Sequence, residues 1–223
     1  MSTLPQNFSI RELELLAVSN PNCSNMFKRL FVSTYKEFVD VLYDDLDRAI
    51  RELESNPQLH REDSEDELSG QIISLLKMVG YIASNGTTGG GNKDLTVLGK
   101  DSSWSWIGEA KIYRSITDLR EGFLQLSTRY RNNDPTNACA GLLAYIFREN
   151  PTVLMSEWKA HIESMNLSGF KSSPCTRRGS LAFLTVQNHQ ATGLQLEVRH
   201  LGVCLYFMPQ DKSGRNAKKY QKK

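Results

Sequence analysis

Two short runs of alternating apolar and polar residues stand close together near the middle of the chain: Asp94-Leu95-Thr96-Val97-Leu98 and Trp104-Ser105-Trp106-Ile107-Gly108-Glu109-Ala110-Lys111. A period of two argues for strands, and the turn-forming stretch Gly99 to Ser103 between them makes a β-hairpin. With the turn centred on Asp101-Ser102, paired residue numbers sum to 203 and Asp94 falls opposite Glu109, Cβ atoms roughly 5 Å apart. Alternation puts Lys111 on the face of Glu109 and turns Leu95, Val97, Trp106, Ala110 and Ile112 the other way, toward a core. A slip of one residue would send both sets to the wrong sides, so the pattern resists it.

Around this hairpin the period changes to that of helices. A short helix is predicted near Ile10 to Ala17. A long one follows from about Ser24, its N-cap, to Ser55, with Phe27, Leu30, Phe31, Phe38, Leu42, Leu46, Ala49 and Leu53 on one face. Asp44 with Arg48 and Asp47 with Arg51 would pair on its outside, and Pro57 lies just past its end. A further helix spans about Asp66 to Val79, carrying Leu68, Ile72, Leu75, Leu76 and Val79 on one side. Gly80 to Ser84 reads as a first strand and Asn85 to Asn92 as a polar loop at the mouth of a site, able to bring backbone N–H groups close to phosphate. Ser115 to Asp118 looks like a capping box opening a helix to about Tyr130, with Leu119, Phe123, Leu126 and Tyr130 toward the sheet.

Ala138 to Phe147 is continuously apolar, as expected of a central strand covered on both faces. A helix from about Val153 to Met165 follows Pro151. Ser172 to Gly179 reads as a loop, and Leu181–Val186, Leu194–Arg199 and Val203–Phe207 as closing strands. The expected fold class is therefore α/β, a mixed central β-sheet flanked by helices, with an N-terminal helical extension over residues 1–62, a main domain over 63–209 and a basic, disordered tail over 210–223.

Composition changes this picture little. Hydrophobic content of 39% and charged content of 23% over 223 residues are ordinary for a globular chain. No apolar run approaches the roughly 20 residues that cross a membrane, and the N-terminus lacks a secretory pattern. Cys23, Cys139, Cys175 and Cys204 are scattered without CxxC spacing, which argues against zinc and a disulfide framework and for a reducing cytoplasm. The formal net charge of +2 is unevenly spread: Glu37 to Glu67 holds twelve acidic and three basic residues, whereas Asp211 to Lys223 holds six Lys/Arg and one Asp. Such a tail can bind nucleic acid by releasing counterions, or simply stay solvated. The glycine loop is followed by a strand and no Gly-Lys-Ser/Thr, so it is not a P-loop. His189 and His200 have no metal or nucleophile spacing and read as structural, and no GxSxG occurs.

The chemistry concentrates at the hairpin. Asp94 and Glu109 repel unless a proton or cation lies between them. Hard oxygen ligands of this kind suit Mg2+, with Mn2+ as a substitute, the shell being completed by water and substrate phosphate. Lys111 can orient or help deprotonate a metal-bound water and stabilise charge on phosphorus.

In Asp94, fourteen intervening residues and Glu109-Ala110-Lys111, the chain resembles the PD-(D/E)xK, or restriction-endonuclease-like, nuclease superfamily. Lys93 stands where that family has proline. The resemblance implies a restriction-endonuclease-like core, Asp94 and Glu109 as metal ligands and Lys111 as the catalytic lysine. It also implies a helix glutamate completing the site: Glu67 by chain order, with Glu62 and Glu65 as alternative counterparts. Gln125 with Tyr130 resembles a substrate-touching pair of some branches, and Arg129, Lys93 and the neighbouring Arg114, Arg120 and Arg131 would add phosphate contacts. The expected function is a metal-dependent endonuclease that hydrolyses phosphodiesters, in DNA, through a metal-bound water. Restriction, antiviral defence, mobile-element biology and repair all use such cores, as a homodimer or within a larger defence complex. The alternatives are a catalytically silent nuclease-like fold that binds nucleic acid or protein, and an ordinary surface salt bridge.

Overall fold

The apolar run from Ala138 lies where its composition demands, as the middle strand of a seven-stranded sheet. The computed structural model describes residues 9–87, 92–99, 102–128 and 138–210. In chain order these form α1 (Ile10–Ser19), α2 (Pro21–Phe31), α3 (Tyr35–Ser55), α4 (Glu65–Met78), β1 (Ile82–Thr87), β2 (Asn92–Leu98), β3 (Ser105–Ile112) and α5 (Ile116–Thr128). There follow β4 (Cys139–Ile146), α6 (Pro151–Ser164), β5 (Lys171–Pro174), β6 (Ala182–Asn188) and β7 (Gln195–Cys204). The sheet order is β1-β2-β3-β4-β7-β6-β5. β4 runs parallel to β3 and β7, and each of those begins an antiparallel wing of the sheet. The architecture is thus α/β with a mixed, open sheet.

Alternation along β4 divides the core. Leu143 and Tyr145 join one cluster with α3, α4, Leu95, Val97, Trp106 and Ala110, while Ala140, Leu142, Ala144 and Ile146 join another with α5 and α6. The segment 1–62 therefore contributes α3 to the cluster that covers one face of the sheet. Trp106 lies across the paired glycines Gly108 and Gly141, at either of which a Cβ would run into its indole ring.

The chain between residues 24 and 55 is two helices rather than one. Thr34 starts α3 through a capping box with Glu37, whose N–H donates to the Thr34 hydroxyl at 3.2 Å while the Thr34 N–H donates to the Glu37 carboxylate at 3.2 Å. Ser24 consequently sits inside α2. The closing strands 194–199 and 203–207 are also regrouped, because Gln195–Cys204 continues unbroken as β7, and β5 occupies part of the loop expected at 172–179. β1 extends through Asn85, Gly86 and Thr87, and residues 88–91 of the expected loop lie outside the described residues.

Much of the acidic excess of α3 is matched by cations from other elements. The Arg199 guanidinium, fully buried, donates to both Asp47 oxygens at 2.9 and 2.7 Å and lies 4.7 Å over the Tyr43 ring. Asp45 accepts from Arg29 at 2.8 Å and from Tyr81 at 2.9 Å. Glu54 accepts from Arg178 at 2.5 Å and from the Cys204 N–H at 2.9 Å. Asp44 is engaged by Arg177 at 2.9 Å. These ties replace the expected Asp44–Arg48 and Asp47–Arg51 pairs, since the acids meet cations from other elements instead. His200 is a core residue: its Nδ1 accepts from Trp158 Nε1 at 3.1 Å, its Nε2 meets Thr185 Oγ1 at 2.9 Å, and burial pushes its pKa down to about 3.

Candidate functional site

β2 and β3 pair in the register the sequence predicts, with Leu95↔Gly108, Thr96↔Ile107, Val97↔Trp106 and Leu98↔Ser105. The ladder ends one residue short of the expected Asp94–Glu109 pair. Asp94 instead turns its carboxylate to the backbone, where Oδ2 accepts the Ala110 N–H at 2.7 Å. A bulge accompanies this departure: Ser84 pairs with Thr96 and Gly86 with Lys93, so Asp94 and Leu95 together oppose Asn85. Bulges re-aim side chains next to a sheet edge, and this one falls at the residue whose carboxylate matters.

Lys111 is the hub of the cluster. Its Nζ lies 2.6 Å from Glu109 Oε1, 3.2 Å from Glu65 Oε1 and 3.8 Å from Asp94 Oδ2. Glu65, in the first turn of α4, is further held by the Ile112 N–H, which donates to Oε2 at 2.8 Å. The helix N-terminus thus carries an acid against the C-terminal end of β3. On the other side α5 crosses close above β3. A Cβ at Gly122 would come within 3.0 Å of Lys111 Cγ and 3.3 Å of Glu109 Cγ, so glycine lets the helix lie that near. One turn on, Gln125 abuts Glu109. With its amide nitrogen turned to the carboxylate, the orientation that satisfies both groups, it donates to Oε2 at 3.2 Å and also to Oε1.

Three carboxylates around one ammonium leave a local excess of negative charge. Glu109, only 2% exposed, has its pKa pushed up to about 7 by burial, with the charges of Asp94 and Glu65 adding to the rise and the bond from Lys111 opposing it. Burial also raises Asp94, against the pull of the Ala110 N–H and the Lys111 charge. For Lys111, desolvation acts downward, but the bond to Glu109 and the fields of Glu109, Glu65 and Asp94 outweigh it and hold the ammonium above its ordinary pKa.

Of the residues singled out from the sequence, Asp94, Glu109, Lys111 and Gln125 therefore come together. Glu67 does not. Its carboxylate accepts from the Ser64 N–H at 2.7 Å and from the Ser64 hydroxyl at 2.8 Å, closing the capping box of α4 on the exposed surface. Glu65, two residues earlier, is the helix acid that reaches Lys111. The Ser64-Glu65-Asp66-Glu67 string is itself a Ser-x-x-Glu capping signature and assigns Glu67 to that task. Lys93 is 6% exposed, and desolvation lowers its pKa, so it offers little surface to a substrate. Arg129, Tyr130 and Arg131 lie outside the described residues. Gly122 escaped the sequence reading; its signal was its place one turn before Gln125.

Asp94 and Glu109 offer hard anionic oxygens whose mutual crowding a divalent cation would relieve, so the donor chemistry fits Mg2+ or Mn2+. Among the described residues, no group of three or more His, Cys, Asp or Glu side chains is arranged to hold a metal ion. What the cluster presents is carboxylates gathered on a lysine. No helix among the described residues is long and apolar enough to cross a membrane. Comparison with protein-family models, curated proteins and solved structures found no match to this chain.

Proposed function

We propose that the chain is a divalent-metal-dependent nuclease of the PD-(D/E)xK type, hydrolysing phosphodiester bonds in DNA. One observation carries this reading: Asp94, Glu109 and Glu65 all lie within 4 Å of the Lys111 ammonium, at the meeting of a bulged hairpin and a helix N-terminus. Asp94 and Glu109 would hold Mg2+ or Mn2+, which uses one or two carboxylates and keeps sites for water and phosphate. When bound, the metal supplies Lewis acidity toward a phosphoryl oxygen and toward water. Lys111 supplies positive charge where negative charge develops on phosphorus and can hold a proton at Nζ. Glu65 fixes the position of Lys111, and Gln125 orients the Glu109 carboxylate by donating to it. A mixed central sheet flanked by helices is compatible with the restriction-endonuclease-like core that the resemblance implies. With one such cluster among the described residues, concerted cutting of both strands would call for two chains, as a homodimer or within a larger complex.

A second reading is favoured by the 2.6 Å bond between Lys111 and Glu109. A lysine tied this closely to the carboxylate suits an internal salt cluster in a catalytically silent, nucleic-acid- or protein-binding fold. Nicking of supercoiled plasmid separates the two. The nuclease reading expects cleavage with Mg2+ or Mn2+, none with EDTA, and loss of cleavage in Lys111→Ala and Asp94→Asn; a folded RNA substrate run in parallel tests the preference for DNA. A well-folded wild type that cuts neither substrate with either metal removes the nuclease reading in favour of the silent one.

A further inference from the structure

Away from the carboxylate cluster, α2, α3 and the segment after β5 enclose a surface cavity of about 310 Å3 lined by Asn25, Lys28, Asp44, Asp47, Arg48, Arg51 and Arg177. Four of its seven lining residues are cationic. Of its two aspartates, Asp47 is already matched by the buried Arg199, which takes both of its oxygens. Asp44 faces Arg177 at 2.9 Å and Lys28 at 4.0 Å, and Arg177 also lies 4.0 Å from Asp40.

The arginines one turn apart on α3 are therefore the unusual feature. Arg48 and Arg51 each stand four residues after an aspartate, the spacing at which a helix pairs opposite charges. Both aspartates are committed elsewhere, and neither arginine has an ion pair among the described residues. Two guanidiniums, a half-exposed lysine and Arg177 thus face one concavity with only Asp44 unmatched by a buried partner. Planar guanidinium donors suit phosphoryl oxygens, which they bind in pairs.

We propose that this cavity is a binding site for a phosphate-bearing ligand, with Arg48 and Arg51 as its principal donors and Lys28 and Arg177 as supporting charges. The proposal is independent of metal binding at Asp94 and Glu109. Phosphoryl oxygens could come from a nucleic-acid backbone or from a small free ligand, and the cavity is of the size that holds a small molecule.

The test compares the full-length wild type with Arg48→Gln/Arg51→Gln, in EDTA so that no substrate is consumed. Binding of a short fluorescein-labelled DNA duplex is followed by anisotropy, and binding of pyrophosphate by calorimetry. Because the basic C-terminal residues are common to both proteins, their contribution cancels. Charge-assisted bonds lost from two arginines should weaken binding roughly tenfold or more. Weakening for the duplex alone assigns the site to backbone phosphates; weakening for pyrophosphate, with or without the duplex, assigns it to a small phosphate ligand. Thermal melting confirms that the double variant is folded, and Arg48→Lys/Arg51→Lys, which keeps the charge, should recover part of the affinity. Equal binding of both probes by wild type and double variant, or no binding of either by the wild type, overturns the proposal.

Discussion

Replacing Glu109 with glutamine removes a buried carboxylate while keeping its shape, and the structure sets the size of the effect. Its pKa is raised from 4.5 to about 7 in the folded chain. Each tenfold change in proton affinity is worth about 1.4 kcal/mol, so ionised Glu109 costs the folded state on the order of 3 kcal/mol. The folded state holds this proton more tightly than the unfolded state. The associated stability is therefore fully present below about pH 4.5, declines as pH rises through about 7, and is absent above that. Glu109→Gln lacks this decline. The stabilities of wild type and variant, measured by urea unfolding with the fluorescence of the buried Trp106 and Trp158, should diverge by roughly 3 kcal/mol between pH 4.5 and 7.5. That difference corresponds to roughly 6 to 12 °C in melting temperature for a chain of this size. Glu12, Glu37 and Glu67, whose pKa values are lowered by their cap hydrogen bonds, act in the opposite sense at lower pH and cancel in the comparison. The loss of the Lys111 bond shifts the variant's curve by a constant without bending it in this window. Parallel curves for the two proteins would refute the electrostatic account of the cluster.

Asp47→Ala leaves the Arg199 guanidinium buried without its counter-ion and should cost about 3–5 kcal/mol in the urea midpoint analysis. Glu65→Gln and Glu67→Gln separate two neighbouring acids: the first should reduce plasmid cleavage with little loss of stability, the second should leave cleavage intact while weakening only the cap of α4. Gly122→Val forces α5 away from Glu109 and Lys111, so cleavage should fall together with a stability loss of roughly 1–3 kcal/mol; cleavage equal to wild type would contradict the close helix contact.

Much of this arrangement was legible because period-two alternation and turn residues specify register. The β2–β3 ladder and the inward set of Leu95, Val97, Trp106 and Ala110 follow from it directly. The apolar run of β4 likewise announced a strand covered on both faces. Other features depend on contacts that no local window contains. The bulge at Asp94 arises from pairing with β1, and the choice of Glu65 over Glu67 depends on the orientation of the first turn of α4 against the end of β3. The local window does account for Glu67 itself, since a Ser-x-x-Glu string occupies its glutamate at the helix cap, but not for the contact of Glu65 with Lys111. The break between α2 and α3 has the same origin in Thr34 and Glu37. The ion pairs of α3 lie beyond a local reading because helical spacing favours Arg48 and Arg51, whereas Arg177 and Arg199 arrive from more than a hundred residues away.

The central claim is that Asp94 and Glu109 share a divalent cation beside Lys111. Titration of Mn2+ into the apoprotein, followed by electron paramagnetic resonance of the free ion, measures it most directly. The account predicts stoichiometric binding by wild type and its loss in Asp94→Asn/Glu109→Gln, with Glu67→Gln unchanged. Equal Mn2+ binding by wild type and the double variant, or none by the folded wild type, would contradict it.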